Sequence, residues 1–298
     1  MIKAKTLRSA GVNLFRYFIL TGLAFLILYP LFVTVMISLM QTSDFSNSAV
    51  RYIPTSLEFE NYETAAIFLQ YGRTVAESLL LCFSLCLLEM ISCMLVAYGF
   101  ARFKFKGRGI LFGCVILTLL VPSSIYFTPL YLSLQDYGPF HWNLIGTPLP
   151  LFLMSMCSLG VKNGLVIYIL RQHFKSYPKE LEEAAMIDGA GAFKVFLKIM
   201  LPGAMTIAVT CFLLIFVFRW TDPTITQVFL PDKEYIWTKL SMIDSNMSIM
   251  TGIDGDDRYF RSILKNTSIV LYCLPLVVLF IACKRSLIES VETTGLVG

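Results

Sequence analysis

Long apolar stretches separated by polar segments dominate the chain. The hydrocarbon core of a membrane, about 30 Å thick, requires roughly 20 helical residues to cross it. Six stretches of the sequence approach that length. The predicted spans are residues 15–40, 74–98, 110–133, 145–170, 203–218 and 263–283. The pattern therefore predicts an all-α fold, namely a polytopic transmembrane helix bundle of about six spans.

Basic residues are distributed unevenly between the two sets of connecting loops. One set contains Lys3, Lys5, Arg8, Arg102, Lys104, Lys106, Arg108, Arg171, Lys175, Lys179, Lys194, Lys198, Lys284 and Arg285. The opposite set contains Asp44, Glu58, Glu60, Glu63, Asp136, Asp254, Asp256 and Asp257. Its cations, such as Arg51, Lys233, Arg258 and Arg261, are fewer and mixed with these acids. Cytoplasmic loops carry the excess of Lys and Arg, so both termini are expected in the cytoplasm. The chain then divides into a first helix with an external loop (1–70), a core of five spans (71–285) and a cytoplasmic tail (286–298).

Composition supports the membrane assignment and excludes several functions. Of the 298 residues, 56% are apolar and 15% are charged, whereas soluble domains have about 25% charged residues. The net charge of +4 is not concentrated in one block, and no nucleic-acid-binding motif accompanies it. The two histidines, His141 and His173, have no cysteine or carboxylate at ligand spacing. We therefore expect no nucleic-acid partner, no metal, no cofactor and no catalytic constellation.

The longest cytoplasmic loop, residues 172–201, has the pattern of a helical hairpin. Pro178 suits the first turn of a helix, where its missing N–H is not needed. Asp188, Gly189 and Gly191 are expected to end this helix, since glycine adopts the left-handed conformation easily. Apolar residues at three- and four-residue spacing then predict a second amphipathic helix. On pattern alone, the hairpin could lie among lipid headgroups or dock into a groove of another protein.

The hairpin also contains a motif of fixed spacing. Its residues follow the order E-A-A, three residues, Gly, nine residues, I-x-L-P. This motif resembles, at every fixed position, the EAA loop of bacterial ATP-binding-cassette importer permeases of the carbohydrate-uptake type. In that family the loop forms a coupling helix that docks into a cleft of an ATPase subunit. The resemblance implies an ATPase-coupling role for Glu183, Ala184, Ala185, Asp188, Gly189, Gly191, Ile199, Leu201 and Pro202.

The resemblance implies a function for the whole chain. It describes a permease subunit of an ATP-driven importer of an oligosaccharide or monosaccharide, in the bacterial plasma membrane. The implied partners are a second permease subunit, two cytoplasmic ATP-binding subunits and an extracytoplasmic solute-binding protein. The sequence has no G-x-x-x-x-G-K-[ST] phosphate loop, so the chain is expected to be non-catalytic. The alternatives are a permease of this class for a non-sugar or acidic-sugar solute, and a stand-alone secondary transporter.

Four polar residues in or next to the predicted spans are candidates for the translocation pathway. They are Glu89 in the second span, Lys162 and Asn163 in the fourth, and Arg219 after the fifth. Charged residues in a bilayer usually face a cavity or a partner, because exposure to lipid is unfavourable. Two interpretations stay open: contacts to a hydrated sugar, or an internal contact such as a Glu89–Lys162 ion pair or a contact with the second permease. Arg219 is expected to extend its side chain to the outer membrane surface.

Two pairs of glycines match the small-residue spacing found where membrane helices pack closely. They are Gly109 with Gly113 and Gly160 with Gly164. Because such spacing also arises by chance, it gives only a weak prediction of helix contact at each pair.

Overall fold

The computed structural model describes residues 2–47, 49–139, 141–160, 162–245 and 258–295. Within these ranges the only β pairing is an isolated antiparallel bridge between Tyr137 and Trp142. The helices are α1 (Ile2–Ser38), α2 (Thr42–Ser46), α3 (Glu60–Leu69), α4 (Tyr71–Arg102), α5 (Arg108–Leu117), α6 (Ser123–Gln135), α7 (Leu149–Met156), α8 (Asn163–Ser176), α9 (Glu180–Ile187), α10 (Ala192–Gly203), α11 (Met205–Thr221), α12 (Thr224–Phe229), α13 (Ile236–Ser245) and α14 (Arg258–Gly295). The all-α prediction is confirmed. The predicted acidic loop residues Asp254, Asp256 and Asp257 and the last three residues of the predicted tail lie outside the described ranges.

Three of the described helices are long and apolar enough to cross a membrane. These segments are Val12–Ser38 of α1, Tyr71–Arg102 of α4 and Arg258–Glu289 of α14. The most apolar part of α1 is not buried inside the chain at all, which suits a helix whose side chains lie in lipid. The pair α10 and α11 would add a fourth span with a bend. The count of six spans stays a prediction.

Two of the predicted spans are each divided into two shorter helices. Residues 110–133 form α5 and α6, separated by a turn that ends at Pro122. Proline lacks an N–H and disfavours a helical conformation in the residue before it. Residues 145–170 form α7 and α8, and the break contains Ser158 and Lys162, both in the left-handed conformation at φ 57°. Two left-handed residues in one short segment prevent the helix from continuing.

The predicted fifth span begins at a sharp bend. The axes of α10 and α11 differ by 81°, and Ala204 lies at the junction. Residues Phe196–Met200 of α10 form a π-helical turn, and Pro202 follows it directly. π turns and prolines are the usual causes of such bends, because each interrupts the regular hydrogen-bond ladder.

The described chain divides into two compact units. The first contains Met1–Thr74 and Ile236–Pro275. In it, the Asn61 side-chain amide donates to the carbonyls of Ser38 (3.0 Å) and Met40 (2.9 Å), which ties α3 to the end of α1. An apolar cluster packs α3 against α14 through Ala65, Leu69, Leu264 and Leu271.

The second unit contains Val75–Tyr235 and Leu276–Gly298. Its centre is α8, which packs against both α5 and α11. A Cβ added to Gly164 would lie 2.6 Å from the carbonyl oxygen of Val115 in α5. The close helix contact predicted at this glycine is therefore confirmed. Gly109 and Gly113, by contrast, have no described atom within 4 Å of an added Cβ.

We predict that Gly164→Ala lowers the free energy of unfolding by about 1–3 kcal/mol, because the new methyl group must push α8 away from α5. The matched control is Gly113→Ala, where a Cβ meets nothing within 4 Å. That change should be neutral or slightly stabilising, since alanine favours the helix more than glycine does. Thermal unfolding in detergent micelles measures both. Equal melting temperatures for the two variants would contradict the prediction.

Candidate functional site

The predicted hairpin is present as α9 and the start of α10. Three glutamates, Glu180, Glu182 and Glu183, occupy the first turn of α9, where the helix dipole favours negative charge. Gly189 has a φ of 79° and donates its N–H to the carbonyl of Met186 at 3.0 Å. Ala190 donates its N–H to the carbonyl of Ala185, also at 3.0 Å. This pair of bonds is the glycine-based helix end that the sequence pattern predicts.

One side of the hairpin is uncovered and largely apolar. We call Glu183, Ala184, Ile187 and Phe193 its outer face. Glu183 and Ala184 are exposed, as is 86% of Ile187 and 66% of Phe193. Exposed apolar groups of this size, rimmed by charge, are typical of a surface that a partner covers.

The remaining motif residues differ in their exposure. Asp188, Gly189, Gly191 and Pro202 are exposed, whereas Ala185, Ile199 and Leu201 are half-buried. The structure therefore places the first half of the motif on the surface and turns part of the second half inward. This agrees with the role of the I-x-L-P segment as the lead-in to the bend before α11.

A buried ion pair holds the opposite side of α9. Arg102, the last residue of α4, places its Nε 2.5 Å from Oε1 of Glu182, and the two side chains are only 6% and 8% exposed. Arg102 also donates from Nη2 to the carbonyl of Tyr177 at 2.9 Å. Burial raises the pKa of the Glu182 carboxyl, and the neighbouring Arg102 charge acts against that rise. The hairpin is thus tied to α4 at two points.

Aromatic packing supports the same side of the hairpin. The ring of Tyr98 lies 5.8 Å from that of Phe174 and 5.1 Å from that of Phe196, measured between centroids. Phe174 and Phe196 are buried. A Cβ on Gly203 would collide with the ring of Tyr177, so glycine lets this ring pass close to α10. These contacts leave the inner side of the hairpin little freedom to move relative to α4.

A second buried ion pair lies farther along α4. Arg219 donates from Nε to Oε2 of Glu89 at 2.9 Å and from Nη2 to Oε1 at 2.6 Å. The same Nη2 donates to Oγ of Ser155 at 2.9 Å, and the Asn163 amide donates to Oε1 of Glu89 at 3.3 Å. Gly160 lies against this carboxylate, since an added Cβ would overlap it. The bidentate geometry and the extra donors satisfy both charges.

This arrangement corrects the expectation for Arg219. The guanidinium does not extend to the membrane surface; Arg219 is only 6% exposed and pairs with Glu89. The partner of Glu89 is therefore Arg219 rather than Lys162. Lys162 is exposed and places its Nζ 4.7 Å from the centroid of the Phe218 ring. A cation over an aromatic face satisfies this lysine without a carboxylate.

Lys162 and Asn163 line a cavity of about 540 Å³ between α5, α6, α7 and α8. Its wall is mainly apolar, with polar groups from Thr118, Tyr126 and Ser158. Asn163 is 2% exposed, and its Oδ1 accepts no hydrogen bond from the described residues. A mostly apolar cavity with a few convergent polar groups is the usual form of a small-molecule site.

Comparison with known families shows the class of protein to which this chain belongs. Residues 93–253, more than half of the chain, match the family described as binding-protein-dependent transport system inner membrane component. The chain belongs to this family. It is a helical inner-membrane protein of a transport system that works with binding proteins.

Individual relatives of this transport component match over nearly their whole length. The sn-glycerol-3-phosphate transport system permease protein UgpE of Brucella abortus is 24% identical over 95% of this chain and 96% of its own. The melibiose/raffinose/stachyose import permease protein MelC of Bacillus subtilis is 25% identical over 90% of this chain and 91% of its own. A bacterial ABC transporter involved in the import of the acidic polysaccharide alginate contains a chain of the same fold. Its TM-score is 0.73 at 18% identity, over 92% of this chain and 95% of that one.

Several residues of the transport component's two ion-paired clusters were not singled out from the sequence. Ser155 complements Arg219 although it is unremarkable in its own segment. Gly160 was singled out only for its spacing from Gly164, and its contact with Glu89 was not predicted. Arg102 and Glu182 are 80 positions apart, and each suits a helix end without a partner. The sequence contains one signal for this pair: a basic residue lies at the cytoplasmic end of a predicted span, and an acidic residue lies in a predicted cytoplasmic helix.

We predict that Arg219→Met destabilises the protein by about 3–5 kcal/mol, because it leaves Glu89 buried without a counter-charge. The double variant Glu89→Met with Arg219→Met should recover most of that loss, since no buried charge remains. Arg285→Met is the control, because the Arg285–Glu289 pair is exposed and should not affect stability measurably. Thermal unfolding in micelles tests all three. A double variant as unstable as Arg219→Met would contradict the expectation.

Proposed function

We propose that the chain is one permease subunit of an ATP-driven sugar importer with six spans and both termini in the cytoplasm. It works with a second permease subunit, two cytoplasmic ATP-binding subunits and an extracytoplasmic solute-binding protein. The observation that carries the proposal is the outer face of the hairpin, which presents the EAA motif on an uncovered apolar surface. The relatives' transport of sugars and of a sugar-like polyol phosphate supports the solute class.

The hairpin gives this subunit a means of receiving energy from a separate protein. The sequence of this chain has no phosphate loop, so the energy of ATP hydrolysis must reach the subunit through contact with an ATPase. In the proposed cycle, closure of the ATPase dimer displaces α9 and α10. The spans then move between inward-open and outward-open arrangements.

The cavity between α5, α6, α7 and α8 supports a pathway role for Lys162 and Asn163. Lys162 is exposed and supplies donors that suit sugar hydroxyls, and Asn163 lines the same cavity next to it. Glu89 and Arg219 then act as support rather than as direct contacts, because both are buried and satisfied by each other. The pathway proposal therefore rests on two of the four candidate residues.

The main test is purification of the complex through an affinity tag on this chain, followed by reconstitution into proteoliposomes. We expect an ATPase and a second permease to copurify. We also expect ATP-dependent uptake of at least one member of a panel of melibiose, raffinose and sn-glycerol 3-phosphate, chosen from the relatives' solutes. Copurification without an ATPase, or uptake that needs only an ion gradient, would reject the proposal.

We predict that Glu183→Arg and Ile187→Asp each weaken binding of the ATPase subunit by about 10–100-fold, because both residues lie at the centre of the outer face. Glu60→Arg is the matched control: the same charge reversal at an exposed glutamate of the predicted external loop. It should leave the affinity unchanged. Binding of purified ATPase to permease complexes in nanodiscs measures the effect. Wild-type affinity in the hairpin variants would exclude this surface as the docking site.

We predict that Lys162→Ala raises the KM for uptake of the best transported sugar about tenfold, the loss expected when a charged hydrogen-bond donor is removed. Lys106→Ala, an exposed lysine in a short loop outside the cavity, is the control and should leave the KM unchanged. Uptake in proteoliposomes with equal amounts of assembled complex gives both values. A variant with normal KM but poor assembly would instead indicate a structural role for Lys162.

A further inference from the structure

Two buried ion pairs lie on the same helix, one at each end of a continuous path. Arg102 closes α4 and binds Glu182 of the hairpin. Glu89, 13 positions earlier in α4, binds Arg219 and contacts the glycine at position 160 and the Asn163 amide at the cavity. At 1.5 Å per residue, these two positions are about 20 Å apart along the helix axis. The path from the hairpin to the cavity therefore runs through one secondary-structure element.

The part of α4 between the two pairs is suited to move as a rigid body. It contains no proline, whereas α1 contains Pro30 and α14 contains Pro275. Proline and π turns are the common sites of helix bending. The other route from the hairpin toward the membrane, through α10, contains a π turn and then the 81° bend. We expect a displacement of α9 to be carried farther by the proline-free helix α4 than through the bend between α10 and α11.

The two carboxylates at the start of the motif face different ways. Glu183 is exposed on the outer face, and Glu182 is buried against Arg102. Adjacent residues of a helix point about 100° apart, so one helix can present one carboxylate outward and anchor itself with the next. Glu182 is therefore placed to hold the hairpin to α4 without taking part in the outer face.

We propose that the Arg102–Glu182 ion pair is the joint through which movement of the coupling hairpin is transmitted along α4 to the cavity. Arg102 and Glu182 are positioning residues in this proposal, and neither contacts solute. The proposal rests on the proposed function, since it assigns a transmission route to that importer. It adds a consequence that docking alone does not require: the hairpin can bind the ATPase and still fail to move the cavity.

The test uses the complete complex in proteoliposomes and a reporter already present in the chain. Cys114 lines the cavity and is exposed. Its rate of labelling with N-ethylmaleimide, with and without ATP and vanadate, reports movement at the cavity. Replacing the other exposed cysteine, Cys157, by serine removes the main background. The variants are Arg102→Gln, Glu182→Gln and the reversed pair Arg102→Glu with Glu182→Arg.

In the wild-type complex we expect ATP and vanadate to change the labelling rate of Cys114 by about fivefold or more, a ratio in the usual range of coupling between sites. Each single variant should bind the ATPase within about threefold of the wild-type affinity. Each should also lose most of this change in labelling rate. The reversed pair should restore at least half of that change. As a control, Arg285→Gln breaks an exposed ion pair and should leave the labelling response intact. Restoration by charge reversal separates a specific contact from a general loss of folding.

Three results would overturn the inference. Single variants with a wild-type labelling response would show that the pair is dispensable. Single variants that lose ATPase binding, with no recovery in the reversed pair, would show that the pair only shapes the docking surface. A wild-type complex that transports sugar without any change at Cys114 would show that the cavity does not respond. Failure of the proposed function is distinct, since the wild-type complex would then neither bind an ATPase nor take up solute.

Discussion

The buried pair of Glu89 and Arg219 is the constraint around which the second unit is arranged. An unpaired charge inside a bilayer or a helix bundle is strongly unfavourable, so each of these side chains requires the other. Their contact joins α4 to α11. Ser155 of α7 accepts a hydrogen bond from Arg219, and the Asn163 amide of α8 donates one to Glu89. One ion pair and its hydrogen bonds therefore hold four helices together. Next to it, Gly160 leaves room for the Glu89 carboxylate, which occupies the space that a side chain at this position would need.

The same ion pair is contacted from both sides of the interruption between α7 and α8. Ser155 lies in α7 before the interruption and Asn163 begins α8 after it, and both side chains reach the ion pair. Between them the chain breaks at Ser158 and Lys162, both left-handed. Left-handed residues other than glycine are unfavourable by roughly 1–2 kcal/mol each, a strain that the buried hydrogen bonds offset. The break also opens the cavity, because α8 starts where a continuous helix would have filled the space.

Local features could be predicted from the sequence, and long-range ones could not. The hairpin was predictable because the glutamates of its first turn and Gly189 act within a few residues of one another. Pro178 was expected in the first turn of α9 but lies just before the N-cap residue Lys179. The pairing of Glu89 with Arg219 spans 130 positions, and the sequence alone pointed to Lys162 as the partner of Glu89. The breaks after α5 and α7 were missed for a related reason. Apolar length alone predicts a span, whereas Ser158 and Lys162 carry no sequence signal for the left-handed conformation.

The arrangement of rigid and bent segments limits how the molecule can change shape. The π turn and Pro202 place a bend of 81° where α10 meets α11. The interruption before α8 is a second such place. Helix α4, by contrast, contains no proline and is held by one buried ion pair at Glu89 and another at Arg102. Packed helices shift as units more readily than they deform. A displacement of α4 can therefore reach both the hairpin and the cavity without passing through a bend.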